Sequence, residues 1–398
     1  LKKMIKKVLK IVIVVETFAK EMGYINNTLP KYFSKLGHDV TIITSAMTPY
    51  YSEGNPSKTL GENFSKKNQL KSNSSFIHQG FKVKVLPSDF FLGKLKITGI
   101  RSNLKQLNPD IIFTFQVTGL LALQCSSYAL ISKTKLISGN HTGLSSSSLI
   151  GLKLIDKIKS FFLRKIPGYF VSFCSFKCIV PTRDCGEVAN LYFGINKSKI
   201  KLLHLPVDEE YFFQNECFEK DKKYLREILN ISKDERIIIF SGKLSDEKNP
   251  IIIAKAIERL REKNFKIHGV FIGEGKQSET LKSYSHVSVL PFVPISILGK
   301  YFRSADIGVW TSESISFLDA SCSGLPLILS DFIKDIEHLK EFASIYENNN
   351  LDSLCDSIVT LLNDEYRNHI SKLASKISKE RFFASNHAIK RLSLCKEN

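Results

Sequence analysis

Residues 236–250 read RIIIFSGKLSDEKNP, and this stretch decides the fold class. Arg236–Phe240 is a short apolar run of strand length, and Pro250 stands where a helix can begin, because proline suits the first helical turn. A second apolar run, Lys266–Ile272, follows that helix. Strand, helix and strand in this order form a βαβ unit, which predicts a parallel sheet.

The same alternation runs through the rest of the chain. In the first half, the apolar strand Leu9–Val15 is followed by a helix over Tyr24–Leu36, a turn at Gly37 and a strand over Val40–Thr44. Further strands are predicted at 82–86, 111–115, 135–138, 178–181, 287–290, 307–310 and 327–329, with helix over 351–398. The fold class is therefore α/β, with two Rossmann-like halves facing each other across a cleft. Ligands are expected beside the C-terminal strand ends.

Length and composition set the number of domains and the class of protein. The 398 residues exceed one compact core, and a change to charged, weakly periodic sequence near 205–235 predicts domains at 1–205 and 206–383. Residues 52–75 are rich in Ser, Lys, Asn and Gly, and are expected to form an exposed, mobile loop. With 43% hydrophobic and 24% charged residues, a disordered chain, a collagen and a disulfide-stapled miniprotein are excluded.

Charge, cysteines and the first residues bear on location. The net charge of +18 attracts polyanions or anionic lipid headgroups.

The eight cysteines are scattered without a CxxC pair, so we expect free thiols in a reducing cytoplasm and no zinc site built on them. The basic start imitates a signal peptide, but its apolar run ends at Glu16 without a cleavage site, which favours a buried strand. No apolar run approaches the roughly 18 residues of a membrane span.

The loop after strand 236–240 is a candidate phosphate site. Gly242 lets the backbone approach a ligand, and Lys243 and Lys248 flank the loop, where they could neutralise a diphosphate. A solvated loop is the alternative, because lysines are frequent throughout this chain.

Two later turns offer weaker signals. Gly273 and Gly275 follow a strand, but Ser278 stands where a dinucleotide fingerprint needs a third glycine. Phe292 and Val293 lie between two prolines and are candidates for contact with a nucleobase, although core packing explains them equally well.

Residues 310–326, WTSESISFLDASCSGLP, contain a polar turn followed by a short helix. Backbone N–H groups at this turn are expected to face the cleft and bind an anion with the helix dipole: those of Ser314, Ile315, Ser316 and Phe317. Asp319, one turn into the helix, could accept hydrogen bonds from a ribose. Ser316 and Asp319 also have the spacing of a capping box, so a purely structural interpretation stays open.

Two residues of the first half are further candidates. Gly23 stands where the first strand meets the first helix, and a glycine there permits close approach of the backbone to a ligand. His141 lies in a glycine-flanked turn after a predicted strand and could hydrogen-bond a sugar in the cleft, although an isolated histidine is more often a surface or satisfied residue.

Taken in order along the chain, these segments resemble the family 4 glycosyltransferases of the GT-B fold. The resemblance spans nearly the whole chain, is strongest over 236–331 and is thin over 46–135. The matching segments are Gly23, 36–44 (LGHDVTIIT), 241–244 (SGKL) with Lys248, 272–275 (IGEG), 292–294 (FVP), 304–307 (SADI), 318–320 (LDA) and 322–326 (CSGLP).

The resemblance implies a retaining transfer of a sugar from a UDP- or GDP-sugar to a glycan or polyprenyl-linked acceptor, in cell-surface polysaccharide synthesis. It implies that Lys243 and Lys248 hold the diphosphate, that Asp319 binds the ribose, and that His141 contacts the donor sugar near the reacting carbon. No metal or other cofactor is expected, since no Asp-x-Asp follows an apolar strand. A C-terminal helix at about 384–398 is expected to pack back on the first domain.

The chain departs from the family pattern at its charged positions. Lys243 stands where the family usually has arginine, and Asp319 replaces the second of two glutamates separated by seven residues. Thr311 occupies the place of the first. Glu313 is displaced by two residues, and either it reaches the sugar as a catalytic group or the N–H groups of 314–317 do most of that work.

A basic amphipathic stretch suggests where the acceptor lies. Residues 151–166 read GLKLIDKIKSFFLRKI, and Phe90 and Phe91 could extend the same surface. The alternative is an ordinary helix packed on the sheet. We expect peripheral attachment to the inner face of the cytoplasmic membrane.

Two other functions stay open: a nucleotide-sugar-binding protein that has lost transfer, and a nucleic-acid-binding protein, which only the charge suggests and for which no motif is present.

Overall fold

The computed structural model describes residues 7–91, 93–144, 153–213, 218–334 and 336–396. Two sheets form its framework, which confirms the α/β prediction. Ten strands belong to the first half: β1 (Lys10–Val14), β2 (Asp39–Ser45), β3 (Ser74–His78), β4 (Phe81–Leu86), β5 (Ser88–Phe91), β6 (Lys94–Ile97), β7 (Ile111–Thr114), β8 (Lys135–Gly139), β9 (Ser175–Val180) and β10 (Ile200–Leu202). Six follow: β11 (Arg236–Ser241), β12 (Ile267–Ile272), β13 (Val287–Leu290), β14 (Ile307–Trp310), β15 (Leu327–Ser330) and β16 (Ala343–Tyr346).

We call the part built on the eight-stranded sheet the first lobe and the part built on the six-stranded sheet the second lobe. The first sheet has the order β10-β9-β8-β7-β1-β2-β4-β3, in which β3 and β4 are antiparallel and the other pairs parallel. The second has the order β13-β12-β11-β14-β15-β16 and is parallel throughout. The order of both sheets reverses beside their first strand, and ligands bind at such switch points in α/β folds.

Helices cover both faces of the two sheets. In chain order they are α1 (Ile25–Lys35), α2 (Ser57–Leu60), α3 (Glu62–Lys67), α4 (Ile100–Leu107), α5 (Gly119–Ser132), α6 (Leu154–Ser160), α7 (Ile166–Cys174), α8 (Arg183–Leu191), α9 (Glu209–Phe212), α10 (Phe218–Leu229), α11 (Ile251–Glu262), α12 (Ser278–Lys282), α13 (Ile295–Ser304), α14 (Ser316–Cys322), α15 (Leu351–Leu362), α16 (Asp364–Arg381) and α17 (Ala384–Leu394). A π-helical turn at Phe161–Lys165 joins α6 to α7.

The central strand β1 shows why the sheet is covered on both sides. Ile11 and Ile13 pack into one buried cluster with α1 and α17, whereas Val12 and Val14 pack into another with α4 and α5. Alternate residues of a strand point to opposite faces, so an apolar run without alternation requires helices on both.

The chain crosses between the lobes twice. Val207 forms a parallel bridge with Phe383, just before α17, whose apolar side packs into the core of the first lobe. Lys31 of α1 forms an ion pair with Asp208 at 2.7 Å, and each side chain is only 4% exposed. The domain boundary at residue 205 stays a prediction. The bridge joins the two crossing segments to each other, and the ion pair joins the first of them to α1 of the first lobe.

The expectation of a mobile loop over 52–75 is wrong. The segment contains α2, α3 and the start of β3, and Leu60 and Phe64 are buried. These two side chains are four residues apart and pack with Ala19 and Met22 of the first lobe. Two apolar residues at helical spacing therefore order a stretch whose composition is otherwise polar.

The amphipathic stretch does not pack on the sheet. Residues 151 and 152 lie outside the described residues, and α6 with the following turn leaves large apolar side chains exposed: Ile155, Ile158, Phe161, Phe162 and Leu163. The alternative of an ordinary packed helix is therefore wrong for this part of the stretch. None of the helices in the described ranges combines the length and the apolar character that crossing a bilayer requires. The seven described cysteines form no disulfide.

Candidate functional site

A cavity of about 750 Å³ lies between the lobes at the carboxyl ends of both sheets. Every candidate site residue of the sequence lines it: Gly23, His141, Gly242, Lys243, Lys248, Gly273, Phe292, Val293, Glu313, Ser314, Ile315, Ser316, Phe317 and Asp319. Their individual roles stay predictions, but they all line the same cavity, Gly23 and His141 from the first lobe and the others from the second.

The loops after β11 and β12 meet backbone to backbone. Gly242 donates its N–H to the Ile272 carbonyl at 3.0 Å. A Cβ atom at Gly273 would lie 2.0 Å from the Gly242 carbonyl oxygen, and the φ angle of Gly273 is 142°. Only glycine fits that contact, so Gly273 allows the two loops to form one continuous edge of the cavity.

Lys248 joins the loop after β11 to the loop after β14. Its ammonium group donates to the Glu313 backbone carbonyl at 2.6 Å, and the Thr311 hydroxyl in turn contacts the Lys248 carbonyl. Burial lowers the pKa of Lys248, the charges of Glu247 and Glu313 oppose that shift, and Lys243 adds to it. Thr311, at the position where the family pattern has a glutamate, thus holds the backbone of the lysine in place.

The turn before α14 is held by its own side chains. The Ser316 hydroxyl donates to the Ser241 carbonyl at 2.8 Å, and the Trp310 indole N–H donates to the same oxygen at 3.0 Å. The Ser316 N–H donates to the Ser314 hydroxyl at 3.3 Å, so this amide is already engaged, contrary to the expectation of a free group.

The capping-box alternative for Ser316 and Asp319 is not realised. Helix α14 begins at Ser316 itself, the preceding residue is Ile315, and no side chain caps the helix. The Ser316 hydroxyl instead donates to the backbone carbonyl of Ser241, at the end of the neighbouring strand β11.

Asp319 presents a buried carboxylate to the cavity. The residue is 6% exposed, and among the described residues no donor lies within hydrogen-bonding distance of its side chain. Burial, and to a smaller extent the charge of Asp208, raises the pKa of Asp319 well above its usual value. Because a buried carboxylate without donors is costly, a ligand that supplies hydroxyl groups would be stabilised here.

His141 stands on the opposite wall, in the first lobe. It follows β8 and stacks on Phe115 with ring centroids 5.8 Å apart. Asn140 fixes the turn by donating to the carbonyls of Thr142 at 2.9 Å and Cys185 at 2.8 Å. Removal from bulk water lowers the pKa of His141 to about 4, and the charge of Arg391 adds to this, so the imidazole is neutral near pH 7.

Gly23 lies close to a side chain of the second lobe, whereas the sequence predicted a close approach of its backbone to a ligand. A Cβ atom at this position would lie 2.7 Å from the end of the Ile295 side chain in the second lobe. Beside it, the Ile295 N–H donates to the Glu21 carbonyl at 3.3 Å. The glycine therefore allows the lobes to meet at the rim of the cavity, which Gly23 also lines.

Sequence reasoning missed the part of the wall next to Phe292. The first lobe supplies Tyr50, Thr59 and Leu60 to the cavity. Behind them the Phe64 ring meets the Phe292 ring edge to face, with centroids 4.7 Å apart. The helical spacing of Leu60 and Phe64 was the signal that could have predicted the burial of these two side chains, but not the partner Phe292.

A pair of stacked histidines also went unnoticed. His204, near the crossing between the lobes, and His338 of the second lobe both line the cavity. Their rings are 4.1 Å apart and nearly parallel, at 20°. No local sequence pattern links two residues so far apart in the chain.

Comparison with known proteins agrees with this geometry. Residues 221–379 match the family described as glycosyl transferases group 1. The match covers less than half of the chain and lies in the second lobe. The matched range contains β11–β16 and with them every candidate residue of the second lobe, from Gly242 to Asp319.

Relatives with curated names share part of the chain. An uncharacterized glycosyltransferase of Methanocaldococcus jannaschii is 25% identical over 236 residues, which cover 55% of this chain and 60% of the relative. The UDP-Gal:alpha-D-GlcNAc-diphosphoundecaprenol alpha-1,3-galactosyltransferase of Escherichia coli is 25% identical over 219 residues, 51% of this chain and 55% of the relative. The matched part of the chain thus spans less than two thirds of the length of these relatives.

Solved structures share the whole fold. Anabaena HepE in complex with UDP and glucose superposes with a TM-score of 0.67 at 13% identity, covering 96% of this chain and 99% of that one. A glycosyltransferase of Rickettsia africae superposes with a TM-score of 0.68 at 14% identity, covering 98% and 100%. These likenesses confirm the GT-B fold.

Proposed function

We propose that this protein transfers a sugar, with retention, from a UDP- or GDP-sugar to a glycan or lipid-linked acceptor. One observation carries the proposal: Lys243, Lys248 and Asp319 line one wall of a cavity at the switch point of the second sheet. A diphosphate needs positive charge, and a ribose needs an acceptor for its hydroxyl groups. This wall supplies positive charge from the two lysines and a hydrogen-bond acceptor from Asp319, in the order along the chain that the sequence predicted.

The chemistry follows from where charge develops. As the bond from the sugar carbon to the diphosphate breaks, negative charge grows on the leaving phosphate. Fixed ammonium groups and backbone N–H groups directed at it lower the barrier. His141 would meet the donor sugar from the first lobe as a neutral hydrogen-bonding group, and Glu313 from the second.

The proposed transfer is metal-independent. The lysines supply charge that a divalent cation would otherwise provide, and this proposal is tested by adding excess EDTA. An unchanged transfer rate would support it, and a rate lost with EDTA and restored by Mg²⁺ or Mn²⁺ would contradict it.

A lipid-linked acceptor and an anionic membrane surface are part of the proposal. The Escherichia coli relative is named for a diphosphoundecaprenol acceptor. In this chain, α6 and the turn after it expose Ile155, Phe162 and Leu163 next to the exposed Lys157 and Lys159. Apolar side chains flanked by lysines suit the interface of an anionic bilayer.

Flotation with liposomes tests the membrane proposal. The wild type should float with anionic vesicles at low salt, and a double substitution Phe162→Ser/Leu163→Ser should weaken this. Phe332→Ser, a control at an exposed phenylalanine outside the segment, should float as the wild type does. Absence of wild-type binding at low salt would refute peripheral attachment to such a surface.

A second candidate is a nucleotide-sugar-binding protein without transfer. Thr311 favours it, since its hydroxyl contacts the Lys248 carbonyl where the family pattern has a carboxylate. Incubation with a panel of UDP- and GDP-sugars and a polyprenyl-diphosphate-linked sugar separates the two. Release of nucleotide together with a glycosylated acceptor supports transfer, and NMR of the anomeric proton reports retention. Binding without turnover across the panel favours the second candidate.

A further inference from the structure

Three potential metal ligands meet at the end of the second sheet that lies opposite the cavity. Glu235 immediately precedes β11, His268 is the second residue of β12, and His286 immediately precedes β13. One ligand atom from each residue lies within 4.8 Å of those of the other two. The candidate residues of the donor site lie at the other ends of these strands.

Strand register explains why these side chains converge. His268 pairs with Ile237 of β11, and Gly269 pairs with Val287 of β13, so His268 and His286 occupy neighbouring positions on adjacent strands. Glu235 precedes Ile237 by two residues and therefore points to the same face of the sheet. The arrangement is fixed by backbone pairing and does not depend on a loop.

The donor set suits a borderline metal ion. Two imidazoles and one carboxylate are a ligand set that zinc accepts, with a water in the fourth position. His268 hydrogen-bonds the Ser288 hydroxyl through Nε2 at 2.9 Å, which orients its ring.

One neighbour opposes a cation. Arg261 donates to Oε1 of Glu235 at 2.6 Å, and its charge repels a metal ion. A carboxylate has two oxygens, so Oε2 of Glu235 can coordinate the ion while Oε1 keeps its hydrogen bond with Arg261. We therefore expect binding of moderate strength. A second cavity of about 300 Å³, whose lining includes Arg261, Tyr284 and His286, opens on the His286 side of the cluster.

We propose that Glu235, His268 and His286 bind one zinc ion, which ties together the beginnings of three neighbouring strands. Zinc–ligand bonds of about 2.1 Å place tetrahedral ligand atoms about 3.4 Å apart. Since the ligand atoms lie within 4.8 Å of one another, they must draw together by at most about 1.4 Å, which rotation about their side-chain bonds allows. The ion would stabilise the second lobe and would take no part in sugar transfer.

Calorimetric titration of tag-free, chelator-treated protein with zinc chloride tests the proposal. We expect one ion per chain and a zinc-dependent rise in Tm. His286→Ala should weaken binding by about tenfold or more and should lose the rise in Tm. His369→Ala, which removes an exposed histidine of α16 outside the cluster, should behave as the wild type.

Three outcomes would overturn the proposal. They are no zinc binding by the wild type, equal binding by His286→Ala, and equal loss in His369→Ala. His286 is half-buried and lies just before β13, whereas His268 lies within β12, so the His286 variant is the one expected to fold. Binding of UDP or GDP to His286→Ala should equal that of the wild type, which separates this site from the proposed donor site.

Discussion

The ammonium group of Lys248 lies 2.6 Å from the Glu313 carbonyl oxygen, to which it donates a hydrogen bond. Lys248 follows β11 and Glu313 follows β14, the adjacent strands at which the order of the second sheet reverses. The contact joins the two loops that would enclose a diphosphate and keeps the lysine in the cavity wall. Lys248 therefore combines a structural contact with the charge that the proposed function requires.

Substitution of Lys248 should separate binding from folding. Lys248→Ala is expected to lower the affinity for UDP or GDP by about 10- to 100-fold, since a hydrogen bond to a charged group contributes about 1.5–3 kcal/mol. Calorimetry measures the affinity, and far-UV circular dichroism should be unchanged. Lys255→Ala, at an exposed lysine of α11, is the matched control. Wild-type affinity in Lys248→Ala would remove this residue from the proposed donor site.

Substitution of Asp319 should raise the stability of the protein and weaken its binding of a nucleoside diphosphate. Its folded-state pKa is raised, so the folded protein holds the proton more tightly than the unfolded chain, and stability declines as the pH rises above the unfolded value of about 3.9. Asp319→Asn removes the buried charge. We expect a Tm higher by about 2 °C or more at pH 8, a smaller difference at pH 5, and weaker nucleoside diphosphate binding.

Thermal melts at the two pH values and calorimetry check the Asp319 prediction together. A variant that is less stable at both pH values would show that the carboxylate has a structural role. Unchanged nucleotide binding would separate Asp319 from the ribose.

His141 should affect turnover more than nucleotide binding. Its pKa of about 4 keeps the ring neutral from pH 6 to 8, so titration of this residue should add no inflection to the rate profile in that range. His141→Ala is expected to reduce turnover by about 100-fold or more, with nucleotide affinity nearly unchanged, because the proposed function places the lost interaction near the reacting carbon.

Steady-state kinetics and nucleotide calorimetry on His141→Ala make this comparison. A proportionate loss of nucleotide affinity would place His141 in ground-state binding, and an unchanged rate would exclude it from the reaction.

Phe64 should influence the side of the cavity assigned to the nucleobase. Its ring supports Phe292 from the other lobe. Phe64→Ala should weaken UDP or GDP binding by about threefold to tenfold, since an aromatic pair contributes about 0.5–1.5 kcal/mol beyond its buried area. Phe64→Leu, which retains most of the apolar volume, should lose less. Equal affinity in all three proteins would show that this contact does not influence the pocket.

The order of strands and turns along the chain was enough to predict the cavity. Loops that follow parallel strands gather at one edge of a sheet, so Gly242, Lys248 and Asp319 had to lie near one another once the βαβ pattern was recognised. The glycine-flanked turn after a predicted strand allowed His141 to face the cleft, and its contact with the donor sugar near the reacting carbon came from the family resemblance.

Contacts between distant segments were beyond the sequence. The Ser316 hydroxyl bonds Ser241 of another strand, which the local capping pattern does not indicate. Phe64 meets Phe292 only when the lobes come together, and the polar composition around Phe64 hid its burial. In each case the partner is selected by tertiary packing, which a local pattern does not contain.

Comparing a nucleoside diphosphate with its monophosphate tests the central claim most directly. Calorimetry would measure UDP, UMP, GDP and GMP on the wild type and on a Lys243→Ala/Lys248→Ala variant. We predict that the wild type prefers one diphosphate over its monophosphate by about tenfold or more, and that the variant loses most of this preference. No diphosphate preference in the wild type, or the same preference in the variant, would contradict a diphosphate site at the two lysines.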